Sequence, residues 1–167
     1  MLRTIQTPTR RKVGGTFAIV ASQYNARYVD AMLQAAKAEL KRARAKVQII
    51  RVPGAFEIPV VAARLAVSAH ASRVAHEESL SAIICFGVIF QGQTSHAQHI
   101  GWGVTHALAQ IQIQHLIPVI HAVFVFEKED HARVRCLGKK HNRGTEAART
   151  ALAMVSVMEK WSERELE

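Results

Sequence analysis

The chain of 167 residues has two cysteines, Cys85 and Cys136, too few and too far apart for a disulfide framework or a zinc site. It has no apolar run near the roughly 20 residues that cross a bilayer. Its hydrophobic stretches are broken by Gly, Gln, Pro or Arg within a few positions, which excludes a spanning helix. Aromatic residues make up 6% and do not alternate with basic ones, so there is no stacking platform for single-stranded nucleic acid. Acidic residues are the minority, 13 against 22 Lys and Arg, and the resulting net charge of +9 favours anionic partners. Lys41, Arg42, Arg44 and Lys46 fall on one predicted helix while Lys139, Lys140 and Arg143 lie far along the chain. That dispersal argues against nucleic acid and for small anions. The expectation is a soluble protein of a reducing cytoplasm, with no membrane or nucleic-acid partner.

What is there suits one domain, since 49% hydrophobic residues in a chain of this length can build a core. The stretch through Lys12 is basic, carries no acidic residue and lacks the apolar block of a secretory signal. Residues 1–14 therefore read as a flexible or partner-bound arm, 15–163 as a single domain and 164–167 as a tail.

Apolar runs rich in Val, Ile and Phe recur at Thr16–Ala21, Val47–Val52, Ser81–Val88 and Pro118–Phe126. None alternates strictly, as expected of strands covered on both faces. Between them lie helical stripes: Val29, Met32, Leu33, Ala36 and Leu40; Ile100, Val104, Ala107, Leu108 and Ile111; and finally Ala148, Ala151, Leu152, Val155 and Met158. The order is strand then helix, four times, with an extra helix at the end. It predicts an α/β fold: a three-layer αβα sandwich, flavodoxin-like, with a four-stranded parallel sheet and helices on both faces.

Sites in such folds lie at the carboxyl ends of the strands. Three polar loops fall there: Ser22–Asn25, Pro53–Glu57 and Gln91–His96. Gly92-Gln93-Thr94 follows a buried strand and precedes a helix, so its backbone N–H groups suit a phosphate, and Thr94 adds a hydroxyl. His96 is either a helix-start residue without chemistry or, beside such a turn, a candidate general acid/base, histidine being the side-chain type suited to that role. His96 and His99 share a helix face, with His106 further along, but no third ligand of suitable spacing is nearby, so no metal is expected. Glu57 either caps the helix that begins near Pro59 or works with Tyr24 to grip a flat, polyhydroxylated ligand; composition does not choose. The run Arg133–Gly144 reads as a solvated basic loop or as countercharge to the phosphate turn. Asn142 and Gly144 suggest a tight start to the last helix. Neither Ala21-Ser22 nor Phe86-Gly87 offers the strand-end carboxylates of a magnesium-dependent phosphoacceptor, which is set aside.

Phe17–Asn25, Val52–Pro59, Gly87–His96, Pro118-Val-Ile and Asn142–Ala148 together resemble the 6,7-dimethyl-8-ribityllumazine synthase family, in order, from about Thr16 to Met158. Gly87–His96 follows the family's G-x-V-I-x-G-x-T-x-H pattern, with Ile89 and Phe90 in the valine and isoleucine positions. The resemblance implies joining of 5-amino-6-(D-ribitylamino)uracil to 3,4-dihydroxy-2-butanone 4-phosphate, without metal or organic cofactor. It implies that Tyr24 stacks on the pyrimidine, that Asn25 and Glu57 bind the ribityl chain, and that Ala55 and Phe56 supply backbone contacts. Val88, Ile89 and Phe90 would line the substrate pocket. Gln93, Thr94 and Arg135 would hold the phosphate, with Lys139 on the family's loop lysine, and His96 would move protons. Counting back from Gly144 without gaps selects Arg135 over Arg133.

The resemblance also implies a pentamer or multiples of it, and His96 and Arg135 are expected to converge on a common oxyanion pocket at the sheet's rim, between neighbouring protomers. This chain departs from the family pattern at Ala97 and Gln98, where an aromatic and an aspartate are usual. His121 stands where a phenylalanine reaches into the neighbouring site, His141 replaces a glycine, and Arg143 a lysine. Those departures motivate an alternative: a non-catalytic flavin- or lumazine-binding assembly protein of the same fold.

Overall fold

The computed structural model describes residues 14–75 and 77–164, so the expected arm lies outside the described residues except for Gly14, as does the tail except for Arg164. The elements are β1 (Thr16–Ser22), α1 (Ala26–Arg42), β2 (Lys46–Val52), α2 (Ile58–Val74), β3 (Leu80–Phe90), α3 (His96–His115), β4 (Val119–Phe126), the short α4 (Glu129–Ala132), a π-helical turn (Arg133–Leu137) and α5 (Arg143–Arg164). The four strands form one sheet in the order β2-β1-β3-β4, and every pairing is parallel. The expected architecture is the one observed.

Side chains alternate across the strands and so divide the core in two. Phe17, Ile19, Ala21, Ile84 and Phe86 face one way and pack with Val29, Met32, Leu33 and Leu40 of α1 and Ala148, Ala151, Leu152 and Val155 of α5. Ala18, Val20, Ile83 and Cys85 face the other way, against Ile58, Ala62 and Ala66 of α2 and Val104, Leu108 and Ile111 of α3. Helices therefore cover both faces, and the central strands β1 and β3 are buried almost throughout.

Two expectations of coverage are corrected. β2 is an edge strand, and Lys46, Gln48 and Ile49 are exposed on it. His121 and Val125 are exposed on β4, the other edge. An edge strand has a neighbour on one side only, so helices that straddle the central strands leave part of it wet. The basic group expected on one helix is also divided: α1 ends at Arg42, Arg44 lies beyond it, and Lys46 opens β2.

The helix ends carry their own chemistry. α1 closes with Arg44 N–H donating to the Lys41 carbonyl at 3.0 Å and Ala45 N–H to that of Leu40 at 3.1 Å. This Schellman arrangement puts Arg44 at φ 58°, where a side chain costs roughly 1–2 kcal/mol and glycine is usual. Arg73, in the last turn of α2, caps the end of α3 by donating to the carbonyls of His115 and Leu116 at 2.9 and 3.2 Å. Asn142 starts α5. Its Oδ1 accepts from Gly144 N–H at 2.8 Å, and its Nδ2 donates to the Cys136 carbonyl at 2.6 Å.

That last bond corrects the reading of Arg133–Gly144 as a solvated loop. Arg133–Leu137 continues α4 as a π-helical turn, Cys136 is buried beneath it, and Asn142 is 8% exposed. Cys136 and Asn142 anchor the segment from below while Arg133, Arg135, Lys139 and Lys140 stay in water and Arg143 pairs with Glu146.

Candidate active site

Because all four strands are parallel, the loops after them share one rim. β1 lies between β2 and β3, so the chain reverses its direction of travel across the sheet between β1 and β3. Crevices form at such points. Asn25 spans this one: its Nδ2 donates to the Val88 carbonyl at 2.7 Å. Its backbone sits at φ 56°, a left-handed conformation that asparagine tolerates.

The loop after β1 is also laced to the loop after β2. Gln23 N–H donates to the Val52 carbonyl at 2.8 Å, and Tyr24 N–H to that of Pro53 at 3.1 Å. Gly54 lies between two expected site residues. A Cβ there would stand 2.7 Å from Glu57 Oε2 and 3.1 Å from Tyr24 Cδ2, so the missing side chain lets carboxylate and phenol ring approach from either side. Glu57 occupies the N-cap position of α2 but makes no capping bond, which disfavours the capping reading. Tyr24 and Phe56 are 70% and 63% exposed, both large apolar surfaces open at the rim. Ala55 is buried, and Gly87 makes room for it: a Cβ on Gly87 would lie 3.3 Å from that of Ala55.

β3 runs two residues further than the sequence pattern indicated. Ile89 and Phe90 are thus strand residues, and the turn shortens to Gln91–Ser95. Phe90 packs edge-on to Tyr28 with centroids 5.5 Å apart and lies 6.4 Å from Phe126, while Val88 is buried. Gln91 Nε2 shapes the turn by donating to the carbonyls of Thr94 and Gly92 at 2.7 and 3.2 Å. The backbone N–H groups of Gly92, Gln93 and Thr94 donate to no protein acceptor among the described residues. They stand just before the positive end of the 20-residue α3, a geometry suited to an anion. His96 is the first residue of α3, and its N–H points to Thr94 Oγ1 at 3.4 Å. His99, one turn on, has its Nε2 3.1 Å from Ser95 Oγ.

The remaining expected residues lie elsewhere in the protomer. Arg135 and Lys139 are exposed in and after the π-helical turn, whose Cys136 belongs to the α1 and α5 side of the core. His96 opens α3 on the opposite side, so a single chain sets His96 and Arg135 on different layers. His121 pairs across the sheet with Cys85, five residues before the end of β4, or roughly 17 Å from the rim. Its Nε2 lies 2.9 Å from Thr105 Oγ1, and burial lowers its pKa.

Sequence reasoning missed a charged cluster at this rim. Tyr28 donates its hydroxyl to Glu129, which Arg133 and Arg27 approach at 3.6 and 3.9 Å. The Tyr28 bond holds the Glu129 carboxyl below its usual range, and the same bond raises the Tyr28 phenol. The spacing of four between Glu129 and Arg133 on a helix was a local signal for half of it. Arg133 has a carboxylate partner, whereas Arg135 enters no ion pair among the described residues. No group of three or more His, Cys, Asp or Glu among the described residues could hold a metal, and no described helix is long and apolar enough to cross a membrane.

The model of the 6,7-dimethyl-8-ribityllumazine synthase family matches residues 14–159. The chain belongs to this family. Among curated relatives, the 6,7-dimethyl-8-ribityllumazine synthase of Stenotrophomonas maltophilia (strain R551-3) is 38% identical over 146 residues, covering 86% of this chain and 88% of the relative. That of Xanthomonas oryzae pv. oryzae (strain PXO99A) is 35% identical over 158 residues, 93% and 94% of the two chains. These relatives are named as synthases, and the non-catalytic alternative is not favoured. Of the motifs that carried the resemblance, three run into the rim loops and one starts α5, while Pro118-Val-Ile opens β4.

Proposed function

We propose that the protein condenses 5-amino-6-(D-ribitylamino)uracil with 3,4-dihydroxy-2-butanone 4-phosphate to give 6,7-dimethyl-8-ribityllumazine, releasing phosphate and water, in riboflavin biosynthesis. The observation that carries this reading is the family match across residues 14–159.

In this reading Tyr24 stacks on the pyrimidine while Asn25 and Glu57 hold the ribityl hydroxyls beside Ala55 and Phe56. Val88, Ile89 and Phe90 form the pocket floor. Gln93, Thr94 and the open N–H groups of the turn bind the butanone phosphate, with Arg135 and Lys139 supplying countercharge. The arylamine attacks the ketone and water leaves to form an imine; phosphate is then eliminated, and the second amine adds to the remaining carbonyl, a second water leaving as the ring closes. Each step moves a proton, which His96 accepts and returns. Anchoring the phosphate dianion stabilises it as a leaving group, and holding both substrates in register supplies much of the acceleration.

The layer separation of His96 and Arg135 supports a site completed by two protomers, with Arg135 and His121 reaching a neighbour. Exposed apolar residues at heptad-like spacing, Trp102, Ala109, Ile113 and Leu116 on α3 and Val60, Val67 and Val74 on α2, support self-association. We assign a pentamer or a multiple of it, in the cytoplasm.

Mixing the two substrates with purified protein and following the absorbance of the lumazine product tests the activity. His96→Ala and Arg135→Ala are expected to lower kcat/KM by roughly 10²-fold each, with assembly intact by light scattering. Absence of product from the wild-type protein would refute the reading. Equal activity of Arg135→Ala and wild type would refute the role of Arg135.

A further inference from the structure

The first helix ends at a conformational cost, and the side chain held there has no charge partner. Arg44 occupies the left-handed position of the Schellman turn, at φ 58°, where glycine fits without strain. Beside it runs a groove of about 510 Å³ lined by Gln34, Lys37, Ala38, Lys41, Arg44, Ala45 and Val47. Lys37 and Lys41 are one helical turn apart and lie on the same face of α1.

No carboxylate lines this groove. Among the described residues Lys37, Lys41 and Arg44 enter no ion pair, although Arg42 and Lys46 beside them are paired with Glu39 and Glu78. The negative end of the α1 dipole accounts for the basic residues of the last turn, Lys41 and Arg42. It gives no reason for a strained arginine beyond that turn. Three cations without an ion-pair partner among the described residues thus line one concave surface.

We propose that this groove is a binding site for an oligophosphate chain, either free triphosphate or the triphosphate of a nucleotide. Lysines supply point charges to the outer oxygens, and the arginine fork takes two oxygens of one phosphate. Lys37 and Lys41, one turn apart, and Arg44 beyond the helix end place three cations along one groove, which a chain of linked phosphates engages together. Ala38, Ala45 and Val47 bring no acceptor that would oppose the charge. α1 runs back from the carboxyl rim, so the groove lies at the opposite end of the sheet and is separate from the candidate active site.

Calorimetric titration of the full-length protein with inorganic triphosphate tests the assignment, using Arg44→Gly, the double variant Lys37→Ala/Lys41→Ala, and Arg135→Ala as a control for the other rim. One triphosphate per chain is expected to remain bound in Arg135→Ala, beyond any held at the rim, and Lys37→Ala/Lys41→Ala should abolish that binding. Arg44→Gly should weaken it roughly tenfold while raising Tm by roughly 2–4 °C, because the glycine relieves the backbone. Inorganic phosphate should bind far more weakly than triphosphate. Tighter binding of ATP than of triphosphate would assign the site to nucleotides; equal binding would assign it to the phosphate chain alone, and either supports the proposal. Unchanged affinity in Arg44→Gly would overturn it. So would loss of binding in Arg135→Ala alone, or a short DNA duplex binding more tightly than triphosphate through Lys37 and Lys41.

Discussion

The side chain of Asn25 donates to the main-chain carbonyl of Val88 at 2.7 Å, tying the loop after β1 to the far end of β3 across the crevice at the sheet's rim. Asn25 does two jobs, since its own backbone is left-handed. Asn25→Gly keeps the backbone and loses the bond, at about 1 kcal/mol. Asn25→Ala loses both and should cost about 2 kcal/mol or more. Urea midpoints of the two variants measure the difference; equal midpoints would show that the dihedral carries no strain.

Gly54 separates Tyr24 from Glu57. In Gly54→Ala the new methyl meets the Glu57 carboxylate and the Tyr24 ring, both flexible and exposed enough to turn away. Stability should therefore change by less than about 1 kcal/mol, while kcat/KM falls by roughly tenfold to a hundredfold through misplacement of the two side chains. Thermal melts and steady-state kinetics on the same preparation separate the effects.

Gly144 is the opposite case, because its neighbour is backbone. A Cβ there would overlap the Met32 carbonyl of α1, which has no rotamer to escape into. Gly144→Ala should cost roughly 3 kcal/mol or more by forcing α1 and α5 apart. A melting temperature within a degree of wild type would contradict this packing.

Glu129 and Tyr28 give the fold a dependence on pH at both ends. The Glu129 pKa is lowered in the folded protein, so its contribution is present above the ordinary carboxylate range and is lost as pH falls through the folded value. The Tyr28 pKa is raised, so its contribution is present below the ordinary phenol range and is lost as pH climbs through the folded value. Tyr28→Phe removes both. The difference in stability between wild type and Tyr28→Phe should be greatest near neutral pH and shrink both as pH falls below the ordinary carboxylate range and as it climbs above the ordinary phenol range. A difference constant with pH would refute the linkage.

Most of the fold was legible because buried parallel strands and amphipathic helices write their period directly into the chain. Thr16–Ala21 and the Val29–Leu40 stripe needed nothing beyond that. The exposed face of β2 was only partly legible, since Gln48 and Arg51 interrupt Val47–Val52 but its edge position, like that of β4, is set by topology. The last two residues of β3 were missed because Ile89 and Phe90 lie among the glycines that suggested a turn. At the site, Tyr24, Glu57 and the turn before His96 followed from the rule that loops gather at one rim. That His96 and Arg135 would occupy different layers could not follow from spacing, because the layer of the π-helical turn depends on where Cys136 and Asn142 are buried. The Tyr28 and Glu129 pair spans 101 positions and leaves no local trace.

Arg149 of α5 donates to the buried Glu39 of α1 at 2.9 Å, and Arg42 reaches the same carboxylate at 2.7 Å. One face of the sheet is thus closed by α1 together with α5, which comes last in chain order among the described helices. While a ribosome is still making residues 143–164, Phe17, Ile84 and Phe86 await half of their cover, whereas α2 and α3 have already dried the other face. A nascent chain stalled before Arg143 would therefore present apolar surface that is covered only once residues 143–164 are made.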